Sequence, residues 1–233
     1  MAIEYRFSFE ESNKELSYIV DTDEPSNSTI RSDSPVNWTK LDNCKCSNCP
    51  LDSTVVSHCP AGLDIQKVIE DFGSLPAIQK ADIRVTAPER TYIKHTGIEE
   101  GLRSLMGLIM ANSQCPILSQ LKPMTYTHLP FASQSEFIMR SVGTFLVRQY
   151  YLSHSGKNPD WGLVGLVELN QELRLVNQAL WQRVHAACEK DSNLKALLTF
   201  FTMSSSVSYS LDAQLSKIKH VFLTEKDLSQ FGD

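Results

Sequence analysis

The N-terminal part of the chain alternates hydrophobic and polar positions, which is the period of a half-buried β-strand. One alternating stretch covers residues 3–9 and a second covers residues 16–20, with a polar turn between them. Two further stretches, residues 83–87 and 92–93, flank a turn at residues 88–90. We therefore predict two β-hairpins and a small antiparallel sheet of about four strands.

Beyond Thr96 the pattern changes to hydrophobic residues three and four apart, which is the period of amphipathic helices. Threonine or serine followed three residues later by glutamate is typical of a helix start with a capping box. The chain has this arrangement at Thr96 with Glu99 and at Ser133 with Glu136. We predict that a helix begins at each of these two places.

The same spacing predicts further helices outside these two. A short helix covers residues 63–72 and ends at Gly73, and a long helix begins at Asp160. A final pair of helices is predicted over residues 194–201 and 207–222.

These elements define the predicted fold class as α+β, with a small antiparallel sheet of two hairpins packed on a mainly α-helical bundle. We assign residues 1–95 to a β-hairpin and cysteine-rich metal-binding region, and residues 96–233 to the helical bundle. The length of 233 residues suits a single compact unit made of both regions.

Charge and hydropathy exclude several classes of partner. The chain has 22 basic and 27 acidic residues and no Lys/Arg run longer than a pair, so we expect no nucleic-acid partner. Its N-terminus lacks the charged start and apolar stretch of a signal peptide, and its apolar segments are too short to span a bilayer. We expect a cytoplasmic protein with no membrane association, in which thiols stay reduced.

Cysteines supply the sharpest chemical signal. Residues 44–59 contain four of the six cysteines but too few apolar residues to form a core, so a metal is the economical explanation for how this segment is held. The two cysteines of the Cys-Ser-Asn-Cys turn can point at one ion or cluster, and a distant cysteine can complete the set. The candidate metal and cofactor ligands are Cys46, Cys49, Cys59 and Cys115.

Three of these four candidate ligands precede a proline, at Cys49, Cys59 and Cys115. Proline favours the first position of a helix, so the residue before it occupies the N-cap. A thiol there faces free backbone N–H groups and the positive end of the helix dipole, which suits an anionic centre. We predict that these cysteines cap short helices.

The identity of the metal stays open between two alternatives. Cys-Pro steps are a feature of ferredoxin cluster motifs and favour a 4Fe-4S iron-sulfur cluster, while structural zinc is the alternative. Cys44 could replace Cys46, and His58 could join a zinc site. Cys188 is expected to be structural. A third interpretation, without any metal, is also open: the cysteines are then buried or capping residues of a reduced protein.

The function predicted from this site is electron transfer, sensing or an accessory role, together with a protein partner. Four cysteines would fill every ligand position of one cluster and leave no open iron for substrate, so we expect no catalytic residue. No nucleophile elbow, phosphate loop or dinucleotide fingerprint occurs in the sequence. The rival functions are a non-catalytic interaction scaffold stapled by zinc, and a metal-free helical adaptor that docks a partner through residues 21–37.

Two other features have two interpretations each. His128, in a proline-rich segment, could lie beside the metal, although a rigid crossover between helices is the favoured interpretation. Arg140 and Arg148 could hold an anion, and a solvated helix face explains them equally well.

The chain also resembles an uncharacterised bacterial family of similar length. The resemblance is carried by residues 5–9, 46–51 (Cys-Ser-Asn-Cys-Pro-Leu), 88–91 and 128–133 (His-Leu-Pro-Phe-Ala-Ser), and by the two other Cys-Pro steps. It implies no activity. It does imply that the four candidate ligands fall on cysteines that recur in the family, whereas Cys44 is peculiar to this chain.

Overall fold

The computed structural model describes residues 1–10, 13–24, 30, 34–73, 75, 79–187, 211–224 and 227. Its four strands are β1 (Ala2–Phe9), β2 (Lys14–Asp21), β3 (Lys80–Ala87) and β4 (Arg90–Gly97). They form one antiparallel sheet in the order β2-β1-β3-β4. Both predicted hairpins are confirmed, and pairing between β1 and β3 joins them into one sheet.

One face of the sheet is buried, as the alternating pattern predicts. In β1 the four hydrophobic residues of the alternation are buried and the polar residues between them are not. Phe7 lies opposite Leu16 on one neighbouring strand and opposite Ile83 on the other. An edge-to-face aromatic contact extends this face, since the rings of Phe7 and Phe72 lie at a centroid distance of 5.0 Å and an interplanar angle of 73°.

The helices of the described residues cover that face and extend beyond it. They are α1 (Pro60–Phe72), α2 (Ile98–Ala111), α3 (Pro123–Tyr126), α4 (Gln134–His154), α5 (Val164–Ala187) and α6 (Leu211–Phe222). Helix α2 packs very closely against the sheet at Gly101. A Cβ atom at this position would stand only 2.5 Å from Ile83 and 2.6 Å from Phe7. The fold is therefore α+β, as predicted.

One of the two predicted capping boxes is confirmed and the other is wrong. At the start of α4, the Ser133 hydroxyl accepts from the Glu136 amide and the Glu136 carboxylate accepts from the Ser133 amide. At the start of α2 the N-cap is Gly97, without a side-chain hydrogen bond. Thr96 is still part of β4, and its hydroxyl donates to Glu100 instead.

Other predicted helix limits need smaller corrections. The predicted helix over residues 63–72 begins at Pro60, and the helix predicted from Asp160 begins at Val164. Asp160 stays outside α5 and accepts a hydrogen bond of 2.7 Å from the Gly165 amide. The helix predicted over residues 194–201, and Cys188, lie outside the described residues.

The hydrophobic residues form two separate clusters. The main one joins the sheet to α1, α2 and the inward face of α5, so it draws on both of the predicted regions. The second, smaller cluster joins α4, the start of α5 and α6 around Ile138, Leu166 and Leu211. The division at residue 95 stays a prediction. None of the helices in the described part of the chain has the length and apolar character needed to cross a membrane.

Candidate metal centre

The cysteine-rich segment is closed at its base by backbone hydrogen bonds. The Cys59 amide donates to the Thr39 carbonyl at 2.7 Å, and the Leu41 amide donates to the Ser57 carbonyl at 2.9 Å. Between them, Lys40 and His58 form an isolated antiparallel bridge. The two ends of the segment are therefore held side by side, which brings Cys44, Cys46 and Cys49 close to Cys59.

The Cys-Ser-Asn-Cys motif forms the tight turn that its spacing predicts. The Cys49 amide donates to the Cys46 carbonyl at 3.1 Å, and both side chains pack against the main cluster. The turn is docked onto α5, because the Asn48 side-chain amide donates to the Glu172 carbonyl at 3.1 Å and also to the Glu172 carboxylate.

Of the three predicted capping cysteines, Cys59 is confirmed, because it is the N-cap of α1 with Pro60 at the first helical position. The Cys59 sulfur makes no capping hydrogen bond of ordinary geometry. Burial has the largest effect on the pKa of the Cys59 thiol and raises it, while the backbone amides of Gly62 and Ala61 lower it. The prediction for Cys49 is wrong, because no helix follows Pro50 and the chain continues there as a loop.

Cys115 lies at the end of the segment that follows α2. Its amide donates to the Ser113 hydroxyl at 3.1 Å, and its carbonyl accepts from the Ser119 amide at 2.9 Å. Burial raises the pKa of its thiol, while hydrogen bonding by the Leu118 and Ile117 amides lowers it. The prediction that Cys115 is an N-cap is wrong, because the 3-10 helix here begins at Leu118 and has Ile117 as its N-cap. Cys115 still lies beside the free amides at the start of this helix.

The four candidate ligands lie close enough to influence each other electrostatically. Burial is the largest cause and, together with the thiols of Cys59, Cys49 and Cys115, raises the pKa of the Cys46 thiol to about 12. Cys115 likewise raises the pKa of Cys59. The chain thus brings together three cysteines from one loop and one cysteine from a segment more than fifty residues away.

The thiols are near each other but do not converge on one point. Among the residues that the structure describes, no three His, Cys, Asp or Glu side chains are placed so that they could hold a metal ion. Each cysteine has a single side-chain torsion before its sulfur, and rotation between staggered states moves the sulfur atom without moving the backbone. Metal binding at this place therefore requires a change of rotamer in some of the four cysteines.

The two second-rank ligands are less well placed. His58 precedes Cys59 in extended backbone, so the two side chains point to opposite sides, and the His58 ring meets the Ser57 hydroxyl at 2.8 Å. Cys44 has a φ of 51°, and its carbonyl accepts from Arg183 at 3.3 Å.

A buried arginine, which the sequence analysis missed, holds the cysteine segment to α5. Arg183 has an exposed fraction of 0%. Its guanidinium donates to four backbone carbonyls of the segment, those of Trp38, Lys40, Leu41 and Cys44. It forms no ion pair with a carboxylate of the described residues, and its Nε has no hydrogen-bond partner there.

This cation stands at the start of α1, beside the candidate ligands. A Cβ atom at Gly62 would lie 3.5 Å from Cys59 and 3.7 Å from the Arg183 stem, so both meet the first turn of the helix. Arg183 lowers the pKa of Cys46 and of Cys59. A buried cation and the positive end of a helix dipole repel each other, so this place favours an anion between them.

One buried carboxylate has the opposite effect on part of the site. Asp64, one turn into α1, raises the pKa of the Cys115 thiol. The Arg183 charge therefore favours the thiolate at Cys46 and Cys59, whereas the Asp64 charge disfavours it at Cys115.

His128 contacts the sheet and α4. Its Nε2 lies 2.6 Å from the Tyr5 hydroxyl, and burial, with a contribution from the Arg140 charge, lowers the pKa of His128 to about 3. These contacts suit the interpretation as a rigid crossover between helices.

This lowered pKa predicts an acid-sensitive fold. The unfolded state binds a proton near pH 6.5 and the folded state only near pH 3, so His128 contributes stability above pH ~6.5 that is lost as the pH falls through this window. Each pH unit within it costs up to ~1.4 kcal/mol. Urea unfolding of the metal-free protein at several pH values tests this, and the His128→Gln variant should show a shallower acid dependence. Equal slopes for both proteins would contradict the assignment.

The fold and the site together define an α+β protein in which four cysteines, drawn from a loop and a distant segment, lie near one another, with a buried arginine beside two of them. The chain belongs to the family described as a domain of unknown function, DUF6901, whose model matches residues 3–223. No curated protein and no solved structure matches the chain.

Proposed function

We propose that the protein binds a 4Fe-4S iron-sulfur cluster through Cys46, Cys49, Cys59 and Cys115. The observation that carries the proposal is that these four thiols lie within electrostatic range of one another, with a fully buried Arg183 beside Cys46 and Cys59. Four thiolates outweigh the charge of the metal they bind, so the loaded centre is anionic and matches the cation and the helix start that surround it.

The free thiols determine how metal binding depends on pH. Burial raises the pKa of Cys46, Cys59 and Cys115, so these side chains are protonated at neutral pH when no metal is bound. A metal must replace those protons, so its binding is expected to strengthen as the pH rises. The turn at residues 46–49 provides the two-residue spacing that such sites use.

The sequence pattern favours a cluster over a single zinc ion. Three of the four candidate ligands precede a proline, and Cys-Pro steps are a feature of ferredoxin cluster motifs. In a cluster each cysteine binds a different iron, whereas a zinc site needs its sulfurs around one point.

The role that follows is electron transfer, sensing or an accessory function in the cytoplasm, together with a protein partner. With all four positions filled by cysteine, no iron is left open for a substrate. We further propose that the Cys-x-x-Cys-Pro-Leu, Cys-Pro and His-Leu-Pro-Phe-Ala-Ser segments recur in the bacterial members of the family, as part of this site and of its support.

The direct test is a metal analysis of the full chain purified without oxygen. We expect about four irons with matching sulfide per chain and a brown, oxygen-sensitive protein with visible absorption. The Cys44→Ser variant serves as the matched control and should keep the same iron content. A colourless protein without iron would contradict the proposal.

The second candidate is a structural zinc site in a non-catalytic interaction scaffold. The closed base of the cysteine segment and its scarcity of apolar residues support this alternative, because a staple alone would hold such a loop. It predicts one zinc per chain, no visible colour, and unfolding on addition of a chelator. The same metal analysis therefore separates the two candidates.

A further inference from the structure

A large, partly open cavity lies beside α2. Its volume is about 410 Å³, and it is lined by α2, α4, α5 and the segment from Leu118 to Ser133. This volume falls within the ~300–1,000 Å³ of small-molecule sites in proteins. Most of its wall is apolar, with contributions from Leu108, Met110, Phe137, Phe145 and Leu169.

The cavity lies between the two hydrophobic clusters of the fold. Leu108 and Met110 on its wall belong to the main cluster, and Phe137 and Phe145 belong to or pack against the smaller one. The two clusters therefore do not meet across this space. Apolar walls that lack partner atoms lose their dispersion contacts, so a ligand with an apolar body would stabilise the protein by filling it.

Three polar residues of the wall are close neighbours. They are His128, Ser104 and Arg140. All three surround the Tyr5 hydroxyl: His128 lies 2.6 Å from it, and Ser104 and Arg140 both act to lower its pKa. An apolar pocket with a few converging polar groups is the usual form of a specific small-molecule site.

The charge of this wall has one sign. Arg103, Arg140 and Arg148 line the cavity, and no aspartate or glutamate of the described residues does. Arg140 donates from Nη2 to the Met124 carbonyl at 2.8 Å, while its Nε is buried without a hydrogen-bond partner in the described part of the chain. Glu136, one turn earlier on α4 and outside the cavity wall, raises the pKa of Arg140, but the two side chains form no ion pair.

We propose that this cavity binds an amphipathic carboxylic acid, with the alkyl chain against the apolar wall and the carboxylate accepting hydrogen bonds from Arg140. Arginine presents donors in a fork that matches a carboxylate, and a partly buried arginine gains most from such a partner. His128 and Ser104 lie beside the same place and offer further polar contacts. Of the two interpretations of Arg140 in the sequence, anion binding is the one that this geometry favours. The inference is independent of the cysteines.

The test is a titration of the full-length protein with dodecanoate by isothermal calorimetry, after removal of bound lipid. We expect saturable binding of dodecanoate, and binding at least about tenfold weaker for dodecanol, which has the same chain but no charge. Arg140→Gln should weaken dodecanoate binding by about tenfold or more and leave dodecanol unaffected. Arg84→Gln, which removes an exposed arginine from β3, is the matched control and should bind like the parent protein.

A second variant locates the site without removing a charge. Thr144→Phe adds a ring to the α4 wall of the cavity, so it should weaken the binding of both probes. Thermal unfolding of each variant checks that it is folded, and Arg140→Lys provides a charged substitute if Arg140→Gln does not fold. The proposal is overturned if dodecanoate does not bind, if dodecanol binds equally well, or if folded Arg140→Gln and Thr144→Phe bind dodecanoate as the parent protein does.

Discussion

Replacing Cys46 and Cys49 together with serine is expected to abolish metal binding and to destabilise the protein by several kcal/mol. Serine is close to cysteine in shape but is a poor ligand for iron or zinc. The free energy of metal binding is also free energy of folding, and in structural zinc sites it reaches about 10 kcal/mol. The measurements are metal content per chain and denaturant unfolding, each made on protein purified without oxygen.

Two controls make this double substitution informative. Cys44→Ser should keep both metal and stability, because the structure uses the carbonyl of Cys44 and not its thiol. In metal-free protein, the double variant and the parent should unfold at similar denaturant concentrations. If the double variant were as stable as the parent as purified, the metal-free adaptor would be the better description of this protein.

The second large effect is expected at Arg183. Arg183→Met keeps much of the side-chain volume but removes the charge and the donors to four carbonyls. We expect a loss of about 3 kcal/mol or more in the free energy of unfolding, because buried carbonyls are left without partners. Metal content should fall as well, since the cysteine segment is no longer held against α5.

The role of the charge can be separated from that of the hydrogen bonds. A buried cation without a counter-ion is unfavourable, so Arg183→Met should destabilise the metal-loaded protein more than the metal-free protein. Gln178→Met, at an exposed position of α5, is the matched control and should change stability by no more than about 0.5 kcal/mol. Equal losses with and without metal would mean that Arg183 acts only as a tether for the loop.

Much of the fold follows from local patterns that the sequence displays directly. Strict alternation in β1 and β3 identifies the buried face of the sheet, and the serine-glutamate pair at Ser133 identifies the start of α4. The pairing of β1 with β3 could not be predicted, because it depends on contacts between residues far apart in the chain. The prediction of a capping box at Thr96 failed for a physical reason. Strand β4 ends at Gly97 and α2 begins at the next residue, so Thr96 is part of the sheet and cannot cap the helix.

The sequence indicated which thiols lie near one another, but not what surrounds them. Cysteine spacing identified the four thiols that the fold brings within electrostatic range of each other. Arg183 escaped notice because an arginine in a helix is ordinarily assigned to its solvated face. One signal was available: Arg183 is three residues after Leu180 and adjacent to Val184, both buried, which places it on the hydrophobic face of α5.

The position of Arg183 in the chain bears on how the site is assembled during synthesis. A ribosome releases the chain from its N-terminus, so the sheet, α1, α2 and all four candidate ligands emerge before the helix that carries the arginine. Until α5 has been made, the hydrogen bonds from Arg183 to the loop at residues 38–44 cannot form. For the proposed cluster, we therefore expect an interval in newly made protein when the thiols are accessible to a metal donor. This interval ends when α5 docks.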